Sequence, residues 1–328
     1  MSSSGGALPF PALRFPLVAR LAFAAGLTLY ILWKSRPRDV VAAAVDADWK
    51  PMAVAVLLVL VDRVLMAYRW IALLRTVERD RHPPLSAVMR VFFVSTFLGI
   101  FLPSSVGSDA LRSYSISKLN LSGGDAVASV FMDRILGVAS LLVMALIGLV
   151  LARDLAGNGP ILAALGVSAA ACIVTILLIF DRRSASAAAG WIARLPLATL
   201  RHAGSRVLES IRKYAAYPRR LVNVLLCSVA VQGLRIVQAY YLGQGLGVNA
   251  PLAAYFAFIP LILLVMLLPV TFNGIGTSQA AFVWFFAQAG VPAAEAFALS
   301  VLFVALGIVG NLPGAILYIS GRGNGRQA

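Results

Sequence analysis

The stretch FLPSSVGSDALRSYSIS, residues 101–117, interrupts a long apolar run that begins near Leu85. It places a proline, a glycine and several serines, followed by Asp109 and Arg112, where a membrane helix should still be surrounded by lipid. Irregular backbone is tolerated at that depth only where protein buries it or where it lines a wet cavity. The stretch therefore predicts a broken helix whose turn belongs to an interior site.

The composition indicates an integral membrane protein. Hydrophobic residues make up 60% of the 328 residues and charged residues 12%, about half of the charged fraction of a typical soluble domain. Several apolar blocks are longer than the roughly 18–20 residues that a helix needs to cross a bilayer. The predicted fold is an all-α polytopic membrane protein, with a single integral membrane domain over residues 1–328.

The apolar blocks predict about six full transmembrane helices and two broken segments. The full spans are expected at 17–33, 52–74, 125–151, 160–180, 221–246 and 294–319, and the broken segments at 86–120 and 252–290. Residues 181–220 form a basic segment in which apolar residues recur near helical spacing. This segment is either an amphipathic helix on the membrane surface or a solvated basic loop.

The formal net charge of +15 favours basic loops that face anionic lipid on the cytoplasmic side of a membrane. No basic stretch is interleaved with aromatic residues as in a surface that stacks nucleic-acid bases, so no nucleic-acid partner is expected. Positive charges concentrate in residues 75–81, in 181–220 and in the C-terminal tail. We therefore expect these regions and both termini to be cytoplasmic.

This topology makes each broken segment enter and leave the membrane on one side. The first is expected to be a re-entrant hairpin from the cytoplasmic side. The second, around LLPVTFNGIGTSQAAF at residues 267–282, is expected to enter from the outer side. The unit of span, hairpin and span then occurs twice with opposite orientation. Two such breaks are the signature of an inverted-repeat transporter whose site lies where the breaks meet.

The two breaks carry the residues expected to bind a substrate. A helix that begins after a break offers backbone N–H groups and a positive dipole end to an anion, and serine or aspartate can cap it, as Ser108 and Asp109 could here. Arginines at membrane depth could complete a phosphate pocket. The candidate substrate-binding residues are Ser104, Ser105, Ser108, Asp109, Arg112, Asp133, Arg134, Arg235, Asn273, Gly274, Gly276, Thr277 and Ser278.

The alternative for the charged residues at membrane depth is a set of structural ion pairs that brace the bundle. Asp109 and Arg112, one helical turn apart, could form one such pair, and Asp62 and Arg63 lie at similar depth. Arg69 is close to the expected membrane interface, where snorkelling to lipid phosphates is the favoured interpretation.

The sequence contains no enzyme signature. It has no metal-ligand spacing, no nucleophile elbow and no loop for binding ATP. We therefore expect neither catalysis nor a cofactor, and any pumping would use an ion gradient.

Four motifs resemble a known family: AYRWIALL (67–74), FLPSSVGSDALR (101–112), SVFMDRILG (129–137) and LPVTFNGIG (268–276). They are similar to the transmembrane, flippase-like domain of lysylphosphatidylglycerol synthases and its stand-alone relatives. The resemblance implies a bacterial or archaeal inner-membrane protein linked to moving modified lipids between leaflets. It also implies functional positions at Asp109, Arg112, Asp133, Arg134 and residues 274–276.

The chain departs from that family at two points. Family members often have Gly-Gly-Asp where this chain has Gly107-Ser108-Asp109, and Arg-Glu after the second glycine pair, where this chain has Thr277-Ser278-Gln279. The loss of that acid–base pair argues against a shared substrate. The chain also ends without a soluble aminoacyltransferase domain, so lipid lysylation is not expected to be its own activity.

Two functions are consistent with these features. The first is a flippase or transporter that moves a phosphate-bearing lipid, either anionic or linked to polyprenyl phosphate, with the headgroup held at the two helix breaks. The alternative is a membrane scaffold that presents a lipid to a separate lipid-modifying enzyme. A hydrated pocket at the breaks would favour transport, and a dry, packed centre would favour the scaffold.

Overall fold

The regular structure of the chain is helical throughout the residues described by a computed structural model. These are residues 17–77, 84–102, 105–118, 123–151, 216–267 and 274–324, together with positions 163, 166–167, 170, 174, 189–193, 201, 205, 209 and 214. The all-α class predicted from the apolar blocks is confirmed for this part of the chain. The continuous helices are α1 (Leu17–Lys34), α2 (Pro37–Val45), α3 (Trp49–Val77), α4 (Leu85–Gly99), α5 (Ser105–Ser117), α6 (Gly123–Leu151), α7 (Pro218–Gly245), α8 (Leu252–Met266), α9 (Thr277–Ala287) and α10 (Ala293–Asn324).

Four of these helices are long and apolar enough to cross a membrane: Trp49–Thr76, Asp125–Gly148, Pro218–Gly245 and Ala293–Ser320. They correspond to four of the six predicted full spans. The predicted span at 17–33 is helical as α1 but is not among these four. Only isolated positions of the predicted span at 160–180 and of the basic segment 181–220 are described, so both stay predictions.

Each predicted break separates two helices. The first lies between Gly99 and Ser105 and the second between Met266 and Thr277. The two helices of each pair pack against each other. Residues 103–104 and 268–273, within the breaks, lie outside the described residues.

Glycines allow the two helices of each broken segment to pack closely. A Cβ atom on Gly99 would lie only 2.6 Å from the Cβ of Ser108 on the other arm of the first pair, so the arms approach as closely as a bare backbone allows. At the second break, Gly274 and Gly276 have φ angles of 76° and 88°, a region that side chains with a Cβ rarely adopt. The expectation that Ser108 and Asp109 cap the outgoing helix is wrong, because α5 already begins at Ser105.

Helices α3 and α7 pack together in antiparallel orientation. Their contacts run in opposite chain directions from one end to the other: Asp48 with Gly245, Asp62 with Arg235, Arg69 with Ser228, and Arg75 with Arg220. We call α3–α6 and α7–α10 the two halves, each of which consists of a long helix, a broken pair and a second long helix. Their first helices, α3 and α7, therefore run in opposite directions, as the first helices of an inverted repeat would.

Two further contacts join helices of the first half to helices of the second half. Helix α6, which follows the first broken pair, packs on α8 of the second, and α10, which follows the second pair, packs on α4 of the first. Both contacts are made by a glycine: a Cβ on Gly148 would overlap the backbone of Phe256, and a Cβ on Gly314 would overlap the backbone of Phe93. Small residues let helices approach closely in a membrane.

These two glycine contacts generate a test of the packing between halves. We expect Gly148→Val and Gly314→Val each to lower the free energy of unfolding by about 1–3 kcal/mol, because overpacked side chains force the helices apart. Gly233→Ala on α7 is the matched control, since nothing lies within 4 Å of a Cβ at that position. Alanine there should leave the Tm unchanged or raise it. Thermal unfolding of the purified protein in detergent measures all three, and valine variants that unfold at the wild-type temperature would contradict the close contacts.

Candidate functional site

A cavity of about 390 Å³ lies between the two halves of the protein. Gly99, Ile100 and Ser108 line it beside the first break, and Met266 and Ile275 line it beside the second. Side chains of α3, α7 and α10 complete the wall. The residues that flank the two breaks therefore face one volume, as the inverted-repeat interpretation predicts.

The polar part of this cavity contains one carboxylate and two guanidinium groups. Arg235 Nε lies 3.4 Å from Asp62 Oδ1, and Arg63 Nη1 lies 3.6 Å from Asp62 Oδ2. The Asp62 side chain is 1% exposed, whereas those of Arg63 and Arg235 are 12% and 22% exposed. All three residues line the cavity, and the two arginine side chains are more exposed than the carboxylate that they share.

Each arginine has a further hydrogen-bond partner, which for Arg63 is on the neighbouring helix α10 and for Arg235 is on its own helix α7. Arg63 donates a hydrogen bond of 3.2 Å to the backbone oxygen of Gly307, and Arg235 donates one of 3.5 Å to Gln232 Oε1. A Cβ on Gly310 would lie 3.0 Å from Arg63 Nε, so the glycine at this position of α10 makes room for the guanidinium group. The position of the Arg63 guanidinium group therefore depends on the glycine that faces it on α10.

Several buried polar atoms at the cavity have no hydrogen-bond partner among the described residues. They are Arg63 Nε, Gln238 Nε2, Asn311 Oδ1 and Asp62 Oδ1, and all four residues line the cavity. The Asp62 oxygen is ion-paired with Arg235 at 3.4 Å. Buried polar groups are nearly always paired with protein, water or ligand, because an unmade hydrogen bond is costly. The cavity therefore has both donors and acceptors available for a polar occupant.

A second polar centre lies between α3, α5 and α6. Asp133 Oδ1 accepts a hydrogen bond of 2.7 Å from Arg69 Nε, and Asp133 Oδ2 lies 3.7 Å from Arg112 Nη1. The guanidinium of Arg112 also lies over the rings of Phe92 and Trp70, at 4.6 and 5.2 Å from their centroids. The expectation that Arg69 snorkels to lipid phosphates is wrong: the residue is 5% exposed and paired inside the protein.

The pairing of Asp109 with Arg112 is also wrong. Asp109 accepts two hydrogen bonds from Arg134, of 2.8 and 2.9 Å, in a bidentate pair that is partly exposed. Arg112 instead joins the second polar centre to the cavity, because its Nη2 lies 3.3 Å from the hydroxyl of Thr96 and Thr96 lines the cavity. The Asp133 centre and the cavity are therefore in contact through Arg112 and Thr96.

Only some of the candidate residues predicted from the sequence lie at the cavity. Ser108 and Arg235 line the cavity, and Arg112 contacts it through Thr96. Asp109, Asp133 and Arg134 form the ion pairs outside the cavity lining. Ser104 and Asn273 lie outside the described residues, and Ser105 is described only as the first residue of α5.

The predicted groups at the second break form bonds within their own turn. Gly276 N donates to Gln279 Oε1 at 2.6 Å, and Ser278 Oγ donates to the same oxygen at 3.0 Å. Thr277 Oγ1 donates to the backbone oxygen of Gly274 at 3.0 Å. Among the described residues of this turn, Ile275 is the one that lines the cavity.

Five polar lining residues were missing from the predicted site: Asp62, Arg63, Thr96, Gln238 and Asn311. A signal for three of them exists in the sequence. Asp62 and Arg63 interrupt an otherwise apolar span, and Gln238 follows Arg235 at a spacing that puts both on one face of α7. Asn311, a single amide in an apolar span, could not be distinguished from a residue that faces another helix. No group of three metal-ligating side chains occurs in the described part of the chain.

The buried ion pairs of Asp133 and the partly exposed pair of Asp109 should contribute differently to stability. Asp133→Asn leaves Arg69 and Arg112 buried without a carboxylate, and we expect it to cost roughly 3–5 kcal/mol of stability. Asp109→Asn removes the partner of the half-exposed Arg134, and a loss of at most about 1 kcal/mol is expected. Thermal unfolding in detergent separates the two, and equal losses would contradict the difference in burial.

Comparison with known proteins gives one family match and no close curated relative. A family model described as the lysylphosphatidylglycerol synthase TM region matches residues 17–314. This is the family that the four sequence motifs resemble. No curated protein matches the chain significantly.

Proposed function

Because the chain belongs to the lysylphosphatidylglycerol synthase transmembrane-region family, we propose that it moves a phosphate-bearing lipid between membrane leaflets. The observation that carries this proposal is the cavity at the two helix breaks, where two guanidinium groups share one carboxylate. Guanidinium groups form strong charge-assisted hydrogen bonds with phosphate. The headgroup would occupy this cavity during transfer.

Helix lengths support a pair of re-entrant hairpins that reach the centre of the membrane. Helices α4 and α8 each contain 15 residues and so rise roughly 22 Å, which is more than half of a hydrocarbon core about 30 Å thick. Since α3 and α7 are antiparallel, the hairpins that follow them enter from opposite sides. We propose that this arrangement lies in a bacterial or archaeal inner membrane, as the resemblance to the family implies. The positive loops favour an orientation with both termini cytoplasmic.

The apolar rim of the cavity supports entry of a lipid rather than a water-soluble anion. Ile275 and Ile308 line the cavity and are also exposed on the surface. Ile308 belongs to a row of exposed apolar residues on α10 that includes Leu312 and Ile316. Acyl or polyprenyl chains can remain against this surface while the headgroup enters between the halves.

The two antiparallel halves supply a physical route for transfer. Rocking of one half against the other opens an inverted-repeat protein first to one side and then to the other, around a fixed site. Asp62 balances part of the charge of Arg63 and Arg235. A bound phosphate would balance the rest, so the arginines need not be left unpaired at any stage. The cavity supports transport over the scaffold alternative, in which a packed centre would be expected.

The proposal predicts that the two cavity arginines are needed for transfer. In proteoliposomes carrying a fluorescent phospholipid, Arg63→Gln and Arg235→Gln should each slow flipping about tenfold or more, since a hydrogen bond to a charged group contributes about 1.5–3 kcal/mol. Arg219→Gln is the matched control, because Arg219 is exposed on the same helix as Arg235 and outside the cavity lining. Folded arginine variants that flip lipid at the wild-type rate would contradict the proposal.

A further inference from the structure

We propose that the cavity selects a phosphodiester headgroup that carries one negative charge and free hydroxyl groups, and that it disfavours a headgroup bearing an added cation. This names the substrate class of the site and rests on the proposed function. Phosphatidylglycerol and a glycosyl polyprenyl phosphate both have this chemistry. An aminoacylated phosphatidylglycerol does not.

The charge of the lining is the first step. Of the described lining residues, the ionisable ones are Asp62, Arg63 and Arg235, one negative against two positive, which leaves a net charge of +1. The parts of the breaks outside the described residues, 103–104 and 268–273, contain no ionisable side chain. A single negative charge on the occupant would therefore neutralise the described cavity.

The neighbouring polar centre does not offset this positive charge. Asp133 is shared by Arg69 and Arg112, so this centre also has one carboxylate for two guanidinium groups. Its Arg112 contacts the cavity wall at Thr96. The Asp109–Arg134 pair is neutral and bidentate. The field in the cavity is thus positive from its own lining and from the Asp133 centre, and an anion is attracted at short range.

Accessibility points in the same direction. Asp62, the carboxylate of the described cavity lining, is 1% exposed, while the two arginines paired with it are 12% and 22% exposed. Because both guanidinium groups already share this carboxylate, an ammonium group in the cavity would be placed beside two positive charges. Juxtaposed like charges are an effective way for a site to reject a ligand.

Two amide side chains fit the hydroxyl part of the proposed headgroup. Gln238 and Asn311 line the cavity, and their buried Nε2 and Oδ1 atoms have no hydrogen-bond partner in the described structure. A hydroxyl group can donate one hydrogen bond and accept others. Glycerol or sugar hydroxyls can therefore satisfy both the donor and the acceptor that the protein leaves open.

Under this proposal, lysylphosphatidylglycerol, the lipid in the family's name, is not the preferred substrate of this chain. In lysylphosphatidylglycerol the lysyl ester adds two ammonium groups to one phosphate, so the headgroup has a net positive charge. That charge opposes the field of the cavity. The absence of an acidic residue at Thr277-Ser278, where the sequence departs from the family pattern, leaves no carboxylate at that position to receive an ammonium group.

The test compares labelled lipids in proteoliposomes of the full chain. Phosphatidylglycerol, phosphatidylethanolamine, lysylphosphatidylglycerol and a glycosyl polyprenyl phosphate are each assayed for flipping. We expect at least one of the two anionic lipids to flip tenfold or more faster than lysylphosphatidylglycerol, with phosphatidylethanolamine between them. The faster anionic lipid identifies the source of the phosphodiester.

Two outcomes overturn the proposal in distinguishable ways. If lysylphosphatidylglycerol flips as fast as both anionic lipids, the substrate class is wrong but the proposed function stands. If none of the four lipids flips faster than in protein-free vesicles, the proposed function falls and the substrate class with it.

Charge reversal tests the cause of the selectivity. Arg235→Glu changes the described cavity from +1 to −1 by replacing one of its two arginines, and the preference should shift at least tenfold toward lysylphosphatidylglycerol. Arg219→Glu, an exposed substitution on the same helix, should leave the preference unchanged. Where Arg235→Glu fails to fold, the single substitutions Arg235→Gln and Arg63→Gln each make the described cavity neutral. Each should reduce the ratio of the flipping rate of the anionic lipid to that of lysylphosphatidylglycerol. A ratio that does not move in the folded variants would overturn the electrostatic assignment.

Discussion

The shared carboxylate of Asp62 is the interaction on which the rest of the structure depends. A charge in the middle of an apolar span is tolerated only when it is paired, and Asp62 has Arg63 and Arg235 within 3.6 Å. This pairing joins α3 to α7 at mid-length, and these helices begin the two halves of the protein. The same requirement draws in α10, whose glycines leave space for Arg63. The charge that makes the cavity useful for an anion is therefore also the contact that joins the halves.

A second constraint comes from the helix breaks. Their backbone can remain inside a membrane only if protein surrounds it or water reaches it. The close arm-to-arm contact at Gly99 and the positive φ angles of Gly274 and Gly276 let each broken segment fold back with little bulk. Both breaks then lie beside the cavity. The described hydrogen bonds of Gly276, Thr277 and Ser278 stay within the second turn, so these bonds do not involve the cavity arginines.

The sequence predicts the helices and breaks well because they depend on local properties. Apolar length defines the four long helices, and the Pro and Gly residues near 103 and 274 mark the two breaks. The ion pairs could not be predicted in the same way. Asp109 and Arg112 are one turn apart, yet Asp109 pairs with Arg134 and Arg112 with Asp133, because the rotation of α5 against α6 decides the partners. Arg69 was assigned to the interface by its position along α3, whereas packing against α6 and α7 buries it. The cavity residues Asp62 and Arg63 were visible as charges, but their role depends on the antiparallel contact with α7.

The most direct test is an experimental structure of the protein in nanodiscs that contain phosphatidylglycerol. We predict a phosphate within hydrogen-bond distance of Arg63 and Arg235, between the two helix breaks, with the acyl chains leaving past Ile275 and Ile308. Substituting Arg235 by glutamine should remove that phosphate from the cavity while the helices keep their arrangement. A cavity closed by side chains between these arginines, or a phosphate bound only at the outer surface, would contradict the site and the transfer mechanism built on it.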